Sequence, residues 1–136
     1  MTPEHLAGLH QRAFTNARPW SAAEFAALLS SPHCFLEGDS KGFALGRVIA
    51  GEAELLTLAV DPNFQRSGRG HALLQAYHKT AQERSGTTAF LEVAADNRPA
   101  ISLYLSNGYT ETGRRKSYYT RQTGPAVDAL ILSRDL

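Results

Sequence analysis

Apolar and polar positions alternate along this chain in two different periods, and the switches between them outline the fold. Residues 3–14 carry Leu6, Leu9, Ala13 and Phe14 near helical spacing, and Pro3 suits a first-turn position, so a helix is predicted there. Ser21 and Glu24 make a capping-box pattern ahead of the apolar face Phe25, Leu28 and Leu29, and Pro32 breaks that second helix. From His33 the pattern becomes three short apolar runs, through Leu36, over 42–49 and over 52–60, separated by Gly38-Asp39-Ser40 and Ala50-Gly51. These predict a meander of strands that Asp61-Pro62 ends, because proline cannot donate to a ladder. Helical spacing returns at Ala72, Leu73, Ala76, Tyr77 and Thr80, and residues 88–94 read as a strand. Asn97, Arg98 and Pro99 open a helix carrying Ile101, Tyr104 and Leu105 that Gly108 closes. Residues 109–119 and 127–132 supply two last strands across Gly124-Pro125. The predicted order is ααβββαβαββ, an α/β chain with a mixed, mostly antiparallel sheet flanked by helices.

Composition narrows the class without choosing a function. A chain of 136 residues with no repeat or linker-like stretch is expected to form a single domain, 1–136. Fourteen basic against 13 acidic residues, 20% charged and 43% apolar, argue against a disordered chain and against a basic nucleic-acid arm. Cys34 is the only cysteine, so no internal disulfide forms, and the five histidines lack metal-ligand spacing. Glu4, His5, His10, Gln11 and Arg12 interrupt any leader-like segment, and no apolar run approaches the ~18 residues of a membrane span. A cytoplasmic protein with no metal, no membrane partner and no direct nucleic-acid contact is expected, as monomer or weak dimer. The mixed basic and aromatic run Arg114–Arg121 admits an RNA contact, but a solvated turn between strands explains it more simply.

The segment LTLAVDPNFQRSGRGHALL, residues 56–74, carries the most chemistry. A strand delivers the chain to a glycine loop that leads straight into a helix. Free N–H groups and the macrodipole at that helix start, with glycines that allow close approach, make an anion cradle, and Arg66 and Arg69 add charge suited to a diphosphate. A phosphate-binding Walker loop would need Gly-Lys-Ser/Thr where Gly70-His71-Ala72 stands, and a dinucleotide fingerprint would need glycine where Leu73 stands. A surface loop whose glycines merely turn the chain is the plain alternative.

Val60-Asp61-Pro62 with Gln65-Arg66-Ser67-Gly68-Arg69-Gly70 resembles the acetyl-CoA signature Q/R-x-x-G-x-G/A of the GNAT superfamily of N-acetyltransferases. Phe90-Leu91-Glu92-Val93, Asn97, Ala100–Tyr104 and Asn107-Gly108-Tyr109 look like the second half of that family. Trp20-Ser21, Leu91-Glu92-Val93, Tyr118-Tyr119 and Asp128-Ala129 are similar to the branch that acetylates ribosomal-protein alanine N-termini. The resemblance spans about residues 10–133. Family members usually open with a strand before the first helix, and only Met1 and Thr2 precede Pro3, so that strand is expected to be missing.

The resemblance implies acetyl-CoA as co-substrate and roles for particular residues, each of which has a plainer reading. Glu92 interrupts an apolar strand, where an unpartnered carboxylate is costly. By the period of two it shares a face with Phe90 and Ala94, opposite Leu91 and Val93, so a solvated sheet face would account for it. The family makes it the general base. Tyr104 at helical spacing reads as core; the family makes it the acid beside the departing thiolate. Asn97 reads as a helix cap; the family adds a coenzyme A contact. Leu58, Ala59 and Val60 would offer main chain to the pantetheine arm and the acetyl carbonyl, and Arg66, Ser67, Gly68, Arg69, Gly70 and His71 would hold the diphosphate. Trp20, Tyr118 and Tyr119 would flank the acceptor. The implied reaction is transfer of acetyl to a primary amine, foremost a protein N-terminus such as that of a ribosomal protein. The alternatives are a small-molecule amine acetyltransferase, or a non-catalytic acyl-CoA-binding module, which would not need both Glu92 and Tyr104.

Overall fold

The structure is a computed structural model that describes residues 1–14 and 18–136. Its elements follow the chain as α1 (Pro3–Ala13), α2 (Ala22–Leu29), β1 (Cys34–Asp39), β2 (Gly42–Ile49), β3 (Glu52–Val60), α3 (Arg69–Glu83), β4 (Thr88–Ala94), α4 (Arg98–Ser106), β5 (Thr110–Tyr119) and β6 (Val127–Asp135), with one 3-10 turn at Pro62–Phe64. Among the described residues no strand precedes α1. Local chemistry explains the boundaries. The Thr2 hydroxyl accepts the His5 N–H at the start of α1, and Ser21 and Glu24 close a reciprocal capping box on α2. Ala50 and Gly51, both at positive φ, make the tight β2–β3 turn.

The strands form one six-stranded sheet in the order β1-β2-β3-β4-β6-β5. Every pairing is antiparallel except β3 with β4. That parallel ladder is short, joining only Glu52, Ala53 and Glu54 to Thr88, Ala89 and Phe90, after which the two strands part. The β2–β3 register slips where Leu45 faces Thr57 but Gly46 faces Leu55, which leaves Leu56 as the extra residue of a bulge. The bulge reverses the side-chain alternation, so Ala53, Leu55, Leu58 and Val60 all serve one core.

Two cores cover the two sheet faces. Leu74, Tyr77 and Ala81 of α3 and Tyr104 of α4 pack with Leu91, Val93 and Leu132 on one side. Leu6 and Leu9 of α1 and Phe25 of α2 pack with Phe43, Leu45 and Ala59 on the other. The seating of α3 requires glycine at position 46, where a Cβ would stand 2.6 Å from the Tyr77 ring. One predicted stripe is corrected: Tyr104 is buried but Leu105 is 51% exposed, because the short α4 turns only a narrow face to the sheet.

Candidate active site

Where β3 and β4 part, the sheet opens into a cleft of about 570 Å³ that receives residues from both of its faces. Leu55–Leu58 of β3 form one wall and Leu91–Ala94 of β4 the other. Trp20 and His10 close it on the α1–α2 side, Ala100 and Tyr104 on the α4 side, and Tyr118 and Tyr119 at the end of β5. The divergence leaves the β4-facing edge of β3 without a ladder partner over most of its length. Such an edge is ready to pair with an extended ligand.

Glu92 lines this cleft on the face predicted, with Leu91 and Val93 buried on the opposite one. Its carboxylate is paired at 3.1 Å with the guanidinium of Arg115, which reaches over from β5 and also lies 5.2 Å from the Tyr118 ring. Tyr104 points its nearly buried ring into the same cleft, and burial pushes the phenol's pKa well above its ordinary value, so it holds its proton at neutral pH. Asn97 is the N-cap of α4, its side chain accepting the Ala100 N–H at 3.4 Å, and it also lines the cleft.

The glycine loop lies beyond the end of β3 and outside the cleft lining. Gly68 is the N-cap of α3 with φ +82, a conformation that suits glycine, and nothing stands within 4 Å of where its Cβ would be. No side chain caps this helix. The first intrahelical bond runs from the Ala72 N–H to the Gly68 carbonyl, so the N–H groups of Arg69, Gly70 and His71 have no acceptor within the helix. An open, uncapped helix start fits a diphosphate. Arg66, itself at φ +62, and Ser67 are exposed on the loop, whereas the Arg69 guanidinium turns back over Phe64 and toward Asp39, 3.8 Å away. Gln65 fastens the loop by donating to the Val60 carbonyl at 3.0 Å.

Trp20, Tyr118 and Tyr119 converge on the other end of the cleft. Tyr118 is 51% exposed, and Tyr119 is half-buried with its pKa raised, first by burial and then by the negative charge of Glu92. Two further residues shape this end. Arg121, whose side chain is only 7% exposed, makes a two-pronged bond to Asp96 at 2.7 and 2.8 Å and ties the β5–β6 loop to the β4–α4 turn. His10 of α1 is buried among Phe14, Trp20 and Phe25, and burial holds its pKa down to about 4. The signal for His10 is a polar residue on the apolar stripe of α1, while nothing in the local sequence marks Asp96 or Arg121 as partners. Among the described residues no group of histidine, cysteine or acidic side chains is placed to hold a metal ion, and no helix is long and apolar enough to cross a membrane.

Known proteins resemble this chain along most of its length. The acetyltransferase (GNAT) family profile matches residues 3–109. The chain is 36% identical, over 97% of its own length and 91% of the relative's, to the ribosomal protein bS18-alanine N-acetyltransferase of Escherichia coli. It is 35% identical to the N-alpha-acetyltransferase RimI of Mycobacterium tuberculosis, over 97% of this chain and 85% of that one. The crystal structure of the Escherichia coli ribosomal-protein-S18-alanine N-acetyltransferase superposes with a TM-score of 0.87 at 33% identity, covering 98% of this chain and 86% of that one.

Proposed function

The chain belongs to the GNAT family of acetyltransferases, which draw their acetyl group from acetyl-CoA, and we propose that its acceptor is the α-amino group of a protein N-terminus, that of a ribosomal protein foremost. The observation that carries this reading is 36% identity along nearly the whole chain to an enzyme named for alanine N-acetylation of a ribosomal protein. A cleft open to both faces of the sheet supports it, since donor and acceptor can enter from opposite sides.

An α-amino group has a pKa near ~8 and reaches the site mostly as ammonium at neutral pH. Glu92 takes the proton that the nitrogen must lose, directly or through water, once the ammonium has displaced Arg115 from its carboxylate. Acetyl-CoA supplies an activated thioester carbon. The N–H groups of Leu58 and Val60, on the edge of β3 turned away from β2, are the donors available to its carbonyl oxygen, whereas the main chain of Ala59 faces β2. As the N–C bond forms and the C–S bond breaks, Tyr104 donates a hydrogen bond to the sulfur. A thiol near ~8.5 is a stronger acid than this buried phenol, so the hydrogen bond matters more than complete transfer. The ammonium loses two protons in all: the first passes through Glu92 to solvent before attack, and the second, released as the amide forms, ends on the thiol. The uncapped start of α3 at Arg69, Gly70 and His71, with Arg66, Ser67 and Gly68, holds the diphosphate, and Asn97 adds a contact from the opposite wall.

The test is a panel of acceptors followed by thiol release and product mass: alanine-initiated peptides with free or blocked N-termini, each with an internal lysine, beside polyamines and aminoglycosides. Acetylation confined to the free N-terminus is expected. Equal activity on blocked peptides, or turnover of small amines alone, overturns the reading.

A further inference from the structure

The hydrogen bonds around His10 fix which of its nitrogens carries the proton. Its Nδ1 lies 3.2 Å from the main-chain N–H of Trp20, which can only donate, so Nδ1 accepts. The imidazole is buried and stays neutral at neutral pH. Its one proton is therefore on Nε2, which faces the Thr57 hydroxyl at 3.3 Å and donates to it. Thr57 Oγ1 is then an acceptor in that bond and must place its own proton elsewhere. No second partner for it stands within hydrogen-bond distance among the described residues. Both side chains line the cleft, and Thr57 follows the β3 bulge at Leu56 on the face that α1 covers.

We propose that His10 is a positioning residue of the acceptor site, pinning the main chain at Trp20 and turning the Thr57 hydroxyl outward as a hydrogen-bond donor to the acceptor. The α-amino end of a peptide offers the matching group, a carbonyl oxygen three bonds from the α-amino nitrogen. The inference rests on the peptide-acceptor reading for the identity of that oxygen, but not for the orientation of Thr57. His10 touches no reacting atom and acts through Thr57 and Trp20.

Two measurements test it. Imidazole nitrogen shifts from NMR of the labelled full chain report the tautomer: a neutral His10 with the proton on Nε2 is expected, and a proton on Nδ1 overturns the inference. Steady-state kinetics then compare Thr57→Val, Thr57→Ser and His10→Phe, the last keeping the aromatic stack while deleting both bonds. Thr57→Val and His10→Phe are expected to raise the acceptor KM by about tenfold, the loss of one hydrogen bond, with the acetyl-CoA KM held within about twofold. Thr57→Ser is expected to stay near wild type. An unchanged acceptor KM in Thr57→Val, or parallel rises in both KM values, overturns it. Wild-type protein that acetylates another amine but no peptide refutes the acceptor reading separately, and the same variants on that amine still decide the role of Thr57.

Discussion

The guanidinium of Arg115 lies 3.1 Å from the carboxylate of Glu92, and Glu92 lines the cleft proposed to receive the acceptor amine. The proposed base is thus already paired with a cation at rest. Arg115 is more than half exposed, and a pair of that kind is worth less than about 1 kcal/mol. Arg115→Ala is expected to lower the acceptor KM, by no more than about fivefold. A rise in acceptor KM in this variant would mean that Arg115 binds the acceptor instead of competing with it.

Glu92→Gln keeps the shape of the side chain and removes the proposed base. A fall in kcat of about 10²- to 10³-fold is expected, with the acetyl-CoA KM little changed. Tyr104→Phe is expected to lower kcat by about tenfold to a hundredfold with both KM values kept. Because burial raises the phenol's pKa, the alkaline limb of the wild-type pH–rate profile below pH ~10 should survive in Tyr104→Phe. Wild-type turnover in both variants sinks these roles.

Gly68→Glu places a carboxylate at the uncapped helix start in a backbone conformation that disfavours side chains. The acetyl-CoA KM is expected to rise by tenfold or more, on the order of the charge and strain added, while the acceptor KM holds. Calorimetric titration of acetyl-CoA into the two proteins measures the difference directly.

Much of this site is legible in the chain and some is not, for identifiable reasons. The capping box at Ser21 and Glu24, the glycine loop entering α3 and the facing of Glu92 all follow from spacings of a few residues, and the structure places them as those spacings imply. The bulge at Leu56 has no glycine on its own strand, and the one at the slip, Gly46, stands on the facing strand. Arg115 shares the face of Glu92 only because the β5–β6 register slips between Glu111 and Gly113, which period-two counting cannot anticipate. Asp96 and Arg121 are separated by 25 residues and join through two loops. His10 sits one turn from Leu6 and from Phe14, and its polarity hides it within an otherwise apolar stripe.

The Asp96–Arg121 bond links the β5–β6 loop, at the proposed acceptor end of the cleft, to the turn that carries Asn97. Asp96→Asn and Arg121→Lys each lose the two-pronged geometry. A several-fold higher acceptor KM is expected in both, larger than any change in acetyl-CoA KM. Exchanging the two residues, Asp96→Arg with Arg121→Asp, should restore part of the loss if the bond rather than either charge matters.

His10 and His78 are both buried with pKa values held down to about 4 by desolvation. The unfolded chain binds protons at these groups below about pH 6.5, and the folded protein does not until about pH 4. Their contribution is whole above pH 6.5 and is lost as pH falls through that window, by up to about 3 kcal/mol for each group. Urea unfolding between pH 7 and 4 should show this loss, and His78→Phe should flatten it.

The short ladder between β3 and β4 has a consequence for how the enzyme fares when idle. The two halves of the sheet meet along three residue pairs, and the rest of that seam is left for a ligand to fill. A molecule that pairs with the open edge of β3 binds the folded chain and not the unfolded one, so at a hundredfold excess over its Kd it adds about 2.7 kcal/mol to stability. If the acyl donor is that molecule, as proposed, its supply sets the lifetime of the protein as well as its rate. In a starved cell the empty enzyme would unfold and be proteolysed sooner, and its abundance would track the metabolite it consumes.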